Sequence, residues 1–222
     1  MTEAPSSDVA FSPAVKAIQA ARGSRDSYAR MERRGGWRTE LTPDIAGFIA
    51  AQRSFYLASA SAEGQPYIQH RGGPPGFLRV LDAETLAFAD LSGNRQYITL
   101  GNLSENPRVQ LFLMDYANRR RVKIWGEARV VQDDPALLAM LMPEGAPGRA
   151  EQAIVIRVTA WDSNCHQHIP QRFEAADVLA AIEKRDARIA ELEAELAQVK
   201  GGGRRELLPP EPPSTFLGTK GG

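Results

Sequence analysis

Residues 161–173 read WDSNCHQHIPQRF and hold the only cysteine, Cys165, with two of the three histidines, His166 and His168, inside four positions. Such residues could bind a metal or form a thiol–imidazole pair. The metal reading is short of ligands: there is no second cysteine, and His70 is the one other histidine. The nucleophilic reading fails on placement, because adjacent side chains rarely turn toward each other and no further base is indicated. No metal is expected, and no residue stands out as a general acid or base. The plain alternative is a strand that ends in polar residues and turns at Pro170.

Three earlier stretches carry more. In GQPYIQHRGGPPGFLRVLD (64–82), strand alternation sends Gln69 and Arg71 to one face and His70 to the other. The GGPPG that follows would weaken a ladder, so it marks a bulge or a close backbone approach to a ligand. In FADLSGNRQYITLGNLSENPRV (88–109), a strand ends at Asp90, the small residues Ser92, Gly93 and Asn94 turn, and a helix over about 94–105 starts near Arg95. Backbone donors at a helix start, joined by a guanidinium, make an anion site, here without a P-loop motif. In ANRRRVKIWGEARVV (117–131), Arg121 and Lys123 share one strand face and Val122 and Ile124 the other. A cation from this strand is expected to join Arg71 and Arg95 in a local basic pocket.

The elements that must position these residues follow from period and punctuation. PAVKAIQAAR (13–22) reads as a helix with Pro13 in its first turn, and the arginine-rich GSRDSYARMERRGGW as a polar connection. LTPDIAGFIAAQ reads as a helix with Thr42 as N-cap, Pro43 at the first position and Ile45, Phe48 and Ile49 on one face. Seven runs then change to period two: SFYLASA, QPYIQHR, GFLRVLD, TLAFAD, RVQLFLM, RVKIWGEARVV and AIVIRVTAW. They predict an antiparallel barrel or sandwich, interrupted by the 94–105 helix and by DPALLAMLM, capped by Asp133 or Asp134. From 176 to 200 the pattern is a heptad: Val178, Ile182, Arg185, Ile189, Leu192, Leu196 and Val199 alternate spacings of four and three. It predicts an amphipathic helix on its own domain or a two-stranded coiled coil. The Pro- and Gly-rich 201–222 is expected to be disordered.

Bulk numbers exclude some classes. Lys plus Arg and Asp plus Glu both total 27 in 222 residues, so the net charge is zero and neither nucleic acid nor a membrane surface is an expected partner. One cysteine gives no sign of an oxidising compartment, and no apolar run is long enough to span a bilayer. A cytoplasmic location is the expectation.

These four stretches, in this order, resemble the pyridoxamine 5'-phosphate oxidase-related FMN-binding split-barrel family over roughly residues 40–175. The resemblance implies a mainly β fold: a six-stranded antiparallel split barrel over 41–175, with flanking helices, preceded by an N-terminal helix and connection (1–40) and followed by the coiled-coil-like helix. It implies a homodimer with FMN at the subunit interface. On it, Arg71 meets the phosphate with Gln69 beside it. Asn94, Arg95 and Gln96 match the phosphate turn, with Gln96 where relatives carry lysine. Arg121 or Lys123 reaches the flavin ring or phosphate, and Trp161, Gln167 and Arg172 approach the ring from the second subunit. The Arg-x-His motif by which true oxidases recognise the B6 phosphate is missing from Gln167-His168-Ile169-Pro170-Gln171-Arg172-Phe173. The expectation is therefore an FMN-dependent oxidoreductase of unassigned small-molecule substrate, with NAD(P)H as a candidate reductant. The alternatives are a non-catalytic flavin-binding or sensory module acting through its C-terminal helix, and a split barrel holding heme or a deazaflavin.

Overall fold

A computed structural model describes residues 4–143, 148–164 and 167–202. The chain divides into two units, Met1–Arg172 and Phe173–Gly222. Cys165, His166 and the 203–222 tail lie outside the described residues.

In the first unit, α1 (Pro13–Ala21) begins on Ser12, whose hydroxyl accepts from the Val15 amide. The stretch expected to be a connection is instead a second helix, α2 (Arg25–Glu32). Its polar sequence hid it because partners outside it hold it: Arg25 donates to Gln19 on α1, Glu32 pairs with Lys16 of α1 at 3.7 Å, and Tyr28 packs edge-on to Phe11 at 5.1 Å. α3 (Pro43–Ala50) has Thr42 as its cap, accepting from the Ile45 amide, and buries Ile45, Phe48 and Ile49.

The seven period-two runs are seven strands: β1 (Ser54–Ala60), β2 (Pro66–Gly72), β3 (Arg79–Asp82), β4 (Thr85–Leu91), β5 (Arg108–Asp115), β6 (Arg120–Val131) and β7 (Ala150–Asn164). They form one antiparallel sheet ordered β2-β1-β5-β6-β7-β4-β3, so the six strands implied by the family resemblance become seven. β2 and β3 are neighbours in sequence but opposite edges of the sheet. The chain breaks between them because Gly73 and Gly76 donate their amides to Arg53 and Ala50 rather than to a ladder. Gly73 also has no room for a side chain, since a Cβ would sit 2.6 Å from the Phe77 ring.

Apolar side chains of β1, β4, β5, β6 and β7 fill the core, with Phe55, Leu57, Leu111, Leu113, Val122, Ile124, Ile154 and Ile156 essentially sealed from water. Phe55 meets Phe88 of β4 edge-on at 5.3 Å. Where β6 shifts register against β7, Gly126 is required: a Cβ there would lie 2.5 Å from the Arg157 carbonyl oxygen. A second apolar cluster joins Ala87, Ala153 and Val155 to Leu141 of α5 (Pro135–Leu141), a helix capped by Asp134. The N-terminal segment packs on the sheet, with Trp37 stacked on Trp125 at 4.6 Å.

The interrupting helix α4 spans Ile98–Glu105, shorter than expected, because Arg95 and Tyr97 hold positive φ (59° and 54°) that a right-handed helix cannot continue. The second unit contains α6 (Ala175–Gly202), a single helix. Among the described residues no helix is long and apolar enough to cross a membrane.

Candidate anion-binding site

β2 alternates as the sequence requires: Tyr67, Gln69 and Arg71 are half-buried, while Ile68 and His70 are exposed. Arg71 Nη1 donates to Asp90 Oδ1 at 2.6 Å. Since β2 is one edge of the sheet order and β4 lies next to the other, this ion pair spans the seam where the sheet curls back on itself. Asp90 is held from its other oxygen by Gln152 Nε2 at 2.8 Å. Arg71 Nε is buried and makes no hydrogen bond. Burying a charged donor without a partner is costly, so an unsatisfied guanidinium nitrogen beside a hollow is an invitation to an acceptor.

That hollow, about 250 Å³, is lined by Gln69, Arg71, Asp90, Asn94, Arg95 and Gln96 and by the start of α4 at Ile98, Thr99 and Leu100. No side chain caps α4, so its first amides have no intrahelical acceptor, and Ile98, Thr99 and Leu100 border the hollow. Thr99 Oγ1 donates to Gln69 Oε1 at 2.9 Å, which orients that amide and leaves its Nε2 donors without a partner among the described residues. Asn94 Oδ1 accepts from the Gln96 amide and tightens the turn. Arg95 is exposed, and its Nε donates to the Tyr97 hydroxyl at 3.0 Å. That hydrogen bond and, secondarily, the Glu151 carboxylate raise the guanidinium above its ordinary value. A second hollow of about 290 Å³ shares Gln69, Arg71, Leu91 and Gly93 and adds the apolar walls Phe77 and Phe88.

Gln69, Arg71, Asn94, Arg95 and Gln96 therefore meet in one place. Arg121 and Lys123 do not join them within the chain, contrary to expectation. Alternation places Lys123 in a cross-strand row with Phe112, Tyr56 and His70, on the sheet face opposite to Arg71. There Lys123 pairs across the ladder with Asp162 of β7, a half-buried carboxyl whose pKa is raised by burial, against the lowering pull of Lys123 and Arg121. Arg121 Nε is a second buried donor without an acceptor.

Trp161 is 8% exposed and belongs to the core; its indole nitrogen donates to the Glu40 carbonyl at 2.8 Å, and Arg38 lies over its ring. In its own chain it anchors the late segment instead of projecting from it. Gln167 and Arg172 are exposed, the latter with its guanidinium 4.7 Å from the Tyr116 ring centre. Asp90, Thr99 and Gln152 were missed from sequence. Asp90 carried a legible signal, since it shares a strand face with Leu86 and Phe88, where a carboxylate needs a buried partner.

One antiparallel sheet curled so that Arg71 of β2 reaches Asp90 of β4, with a hollow at that seam lined by Arg71 and Arg95 and by the carboxylates Asp90 and Glu151, fits the split-barrel class of mainly β proteins. The family model for pyridoxamine 5'-phosphate oxidase matches residues 41–165, and the chain belongs to that family. No curated protein matches it. Among solved structures it is similar to HupZ of Group A Streptococcus (18% identity, TM-score 0.47, 60% of this chain and 99% of that one). It is also similar to a putative pyridoxamine 5'-phosphate oxidase of Lactobacillus delbrueckii (20%, 0.44, 56% and 95%). A third is an FMN-binding protein of Syntrophomonas wolfei (10%, 0.45, 66% and 97%).

Proposed function

We propose that this protein binds FMN and serves as a flavin-dependent oxidoreductase for a small molecule other than a B6 vitamer, working in the cytoplasm as a homodimer with the cofactor at the subunit interface. The observation that carries the reading is the unpartnered, buried Arg71 Nε beside the uncapped start of α4. A phosphate monoester supplies the acceptors that both lack. Family membership turns that general anion site toward a phosphorylated cofactor.

Arg71, the Gln69 amide, Arg95 and the first amides of α4 would hold the phosphate, while Asn94 and Gln96 set the turn. Lys123, Arg121, Gln167 and Arg172 would face the ring, which needs the second chain, because the two β6 cations lie across the sheet from Arg71. Trp161 would hold the late segment in position from the core. Bound flavin supplies hydride and electron transfer, and the protein supplies position and charge.

The test is titration of the purified protein with FMN, heme and a deazaflavin cofactor, followed by anaerobic mixing of the FMN complex with NADH or NADPH. Quenching of flavin fluorescence at stoichiometric FMN and bleaching by a reduced nicotinamide are expected. Protein that stays colourless and leaves FMN fluorescence unchanged, or that takes up heme in preference, would remove the flavin reading. Binding without reduction would favour a flavin-binding module that turns nothing over.

A further inference from the structure

The 28-residue helix α6 would be roughly 42 Å long at 1.5 Å per residue. Its apolar side chains form one stripe: Val178, Ile182, Ile189, Leu192, Leu196 and Val199 are each at least 42% exposed among the described residues. Most helical stability in proteins comes from packing an amphipathic face, and a continuous apolar stripe of this length is an association surface. The charges beside the stripe identify the occupant. With Ile182, Ile189 and Leu196 at a positions and Val178, Arg185, Leu192 and Val199 at d, the g positions carry Arg188 and Glu195 and the e positions Asp186, Glu193 and Lys200.

We infer that α6 forms a parallel, in-register, two-stranded coiled coil with α6 of a second copy of this chain. In that arrangement each g residue meets the e residue five positions later on the other helix. Arg188 then faces Glu193, and Glu195 faces Lys200, so every charged g position meets its opposite, twice over by symmetry. Arg185, the one charge in the seam, lies beside the second copy's Asp186, because d positions are flanked by the opposing e. A fully overlapped antiparallel pair also brings Arg188 to Glu195, but it sets Asp186 against Glu193 and packs Arg185 opposite Leu196. Ile182 and Ile189 at a with Leu192 at d fit the two-strand pattern, while Leu196 at a and the valines at d add nothing to it. The pairing is independent of any flavin.

The test is disulfide trapping in full-length Cys165→Ser protein carrying one new cysteine at a time. Val178→Cys and Val199→Cys, at the two ends of the seam, should each crosslink most chains into dimers under mild oxidation. Ala194→Cys, on the outward face, should do so at least tenfold more slowly. Adding Arg188→Glu to Val199→Cys should slow crosslinking roughly three- to tenfold, and Glu193→Lys should restore it. Crosslinking at Val199→Cys no faster than at Ala194→Cys would overturn the coil. So would efficient trapping only between a 178 and a 199 cysteine when the two variants are mixed, which would mean an antiparallel pair. Trapping at 178 alone would show that another surface gathers the chains and that α6 stays unpaired.

Discussion

Replacing Arg71 by alanine should do two separable things. The Arg71 and Asp90 side chains are 15% and 9% exposed, and their ion pair is a single 2.6 Å contact. Stranding one partner of a buried pair costs about 3–5 kcal/mol. Here Gln152 keeps its bond to Asp90 and some water reaches the arginine, which brings the expected loss to about 2–3 kcal/mol. For a unit of this size that lowers Tm by roughly 4–12 °C. Flavin affinity should fall separately, since a charge-assisted phosphate contact is worth about 1.5–3 kcal/mol, or roughly one to two decades in Kd. Adding Asp90→Asn removes the stranded carboxylate. The double variant should recover most of the melting temperature but none of the FMN affinity. Thermal melts of the cofactor-free protein and fluorescence titrations with FMN read the two effects independently. If affinity returns along with stability, Arg71 is a structural residue and the phosphate assignment is wrong. If the single variant melts like the parent, the seam is not held by this pair.

Arg95 stands outside any buried network, so Arg95→Ala should weaken FMN about tenfold in a fluorescence titration while leaving the melting curve in place; an unchanged Kd would remove it from the site. Asp162 is raised above the ordinary 3.8 by burial, so its folded form holds a proton more tightly than its unfolded form. Its contribution favours folding most below that ordinary value and is lost as pH rises through the folded one. Asp162→Asn should therefore melt higher than the parent at neutral pH, with the gap closing as pH falls toward 3.8. A variant less stable at neutral pH would mean that Lys123 and Arg121 outweigh burial.

Much of the fold could be read from the chain because its signals are local. Thr42 and Pro43 start a helix wherever they precede an apolar face, and strands such as SFYLASA declare themselves by period. α2 escaped because a helix with almost no apolar face is held by Gln19, Lys16 and Phe11, partners that period cannot reveal. The site divides along the same line. Alternation placed Gln69 and Arg71 on one face and Lys123 on a face of its strand, but only the sheet order shows that these are opposite faces. The left-handed backbone at Arg95 and Tyr97 was equally hidden, because neither residue type advertises positive φ. Both carry the local strain that tends to collect where a loop must aim its groups at a ligand.

The pairing of Asp90 with Arg71 explains how a neutral chain can keep an anion site ready. Without Asp90, Arg71 would be a largely buried cation with no hydrogen-bonded counter-charge, and the curl of the sheet would bear that cost whenever the site stood empty. With it, the guanidinium is neutralised through one nitrogen and fixed in direction, while Nε stays unsatisfied. The carboxylate must also repel an incoming phosphate. Gln152 limits that repulsion by donating to the second Asp90 oxygen, and the first amides of α4, which no side chain caps, add positive potential against Asp90 and the nearby Glu151. Selectivity follows from this balance. On the proposed reading, an anion that bonds to Arg71 Nε and the helix amides together would overcome Asp90, whereas a simple carboxylate that reaches only one of them would not. A phosphate monoester, with three terminal oxygens, meets that requirement.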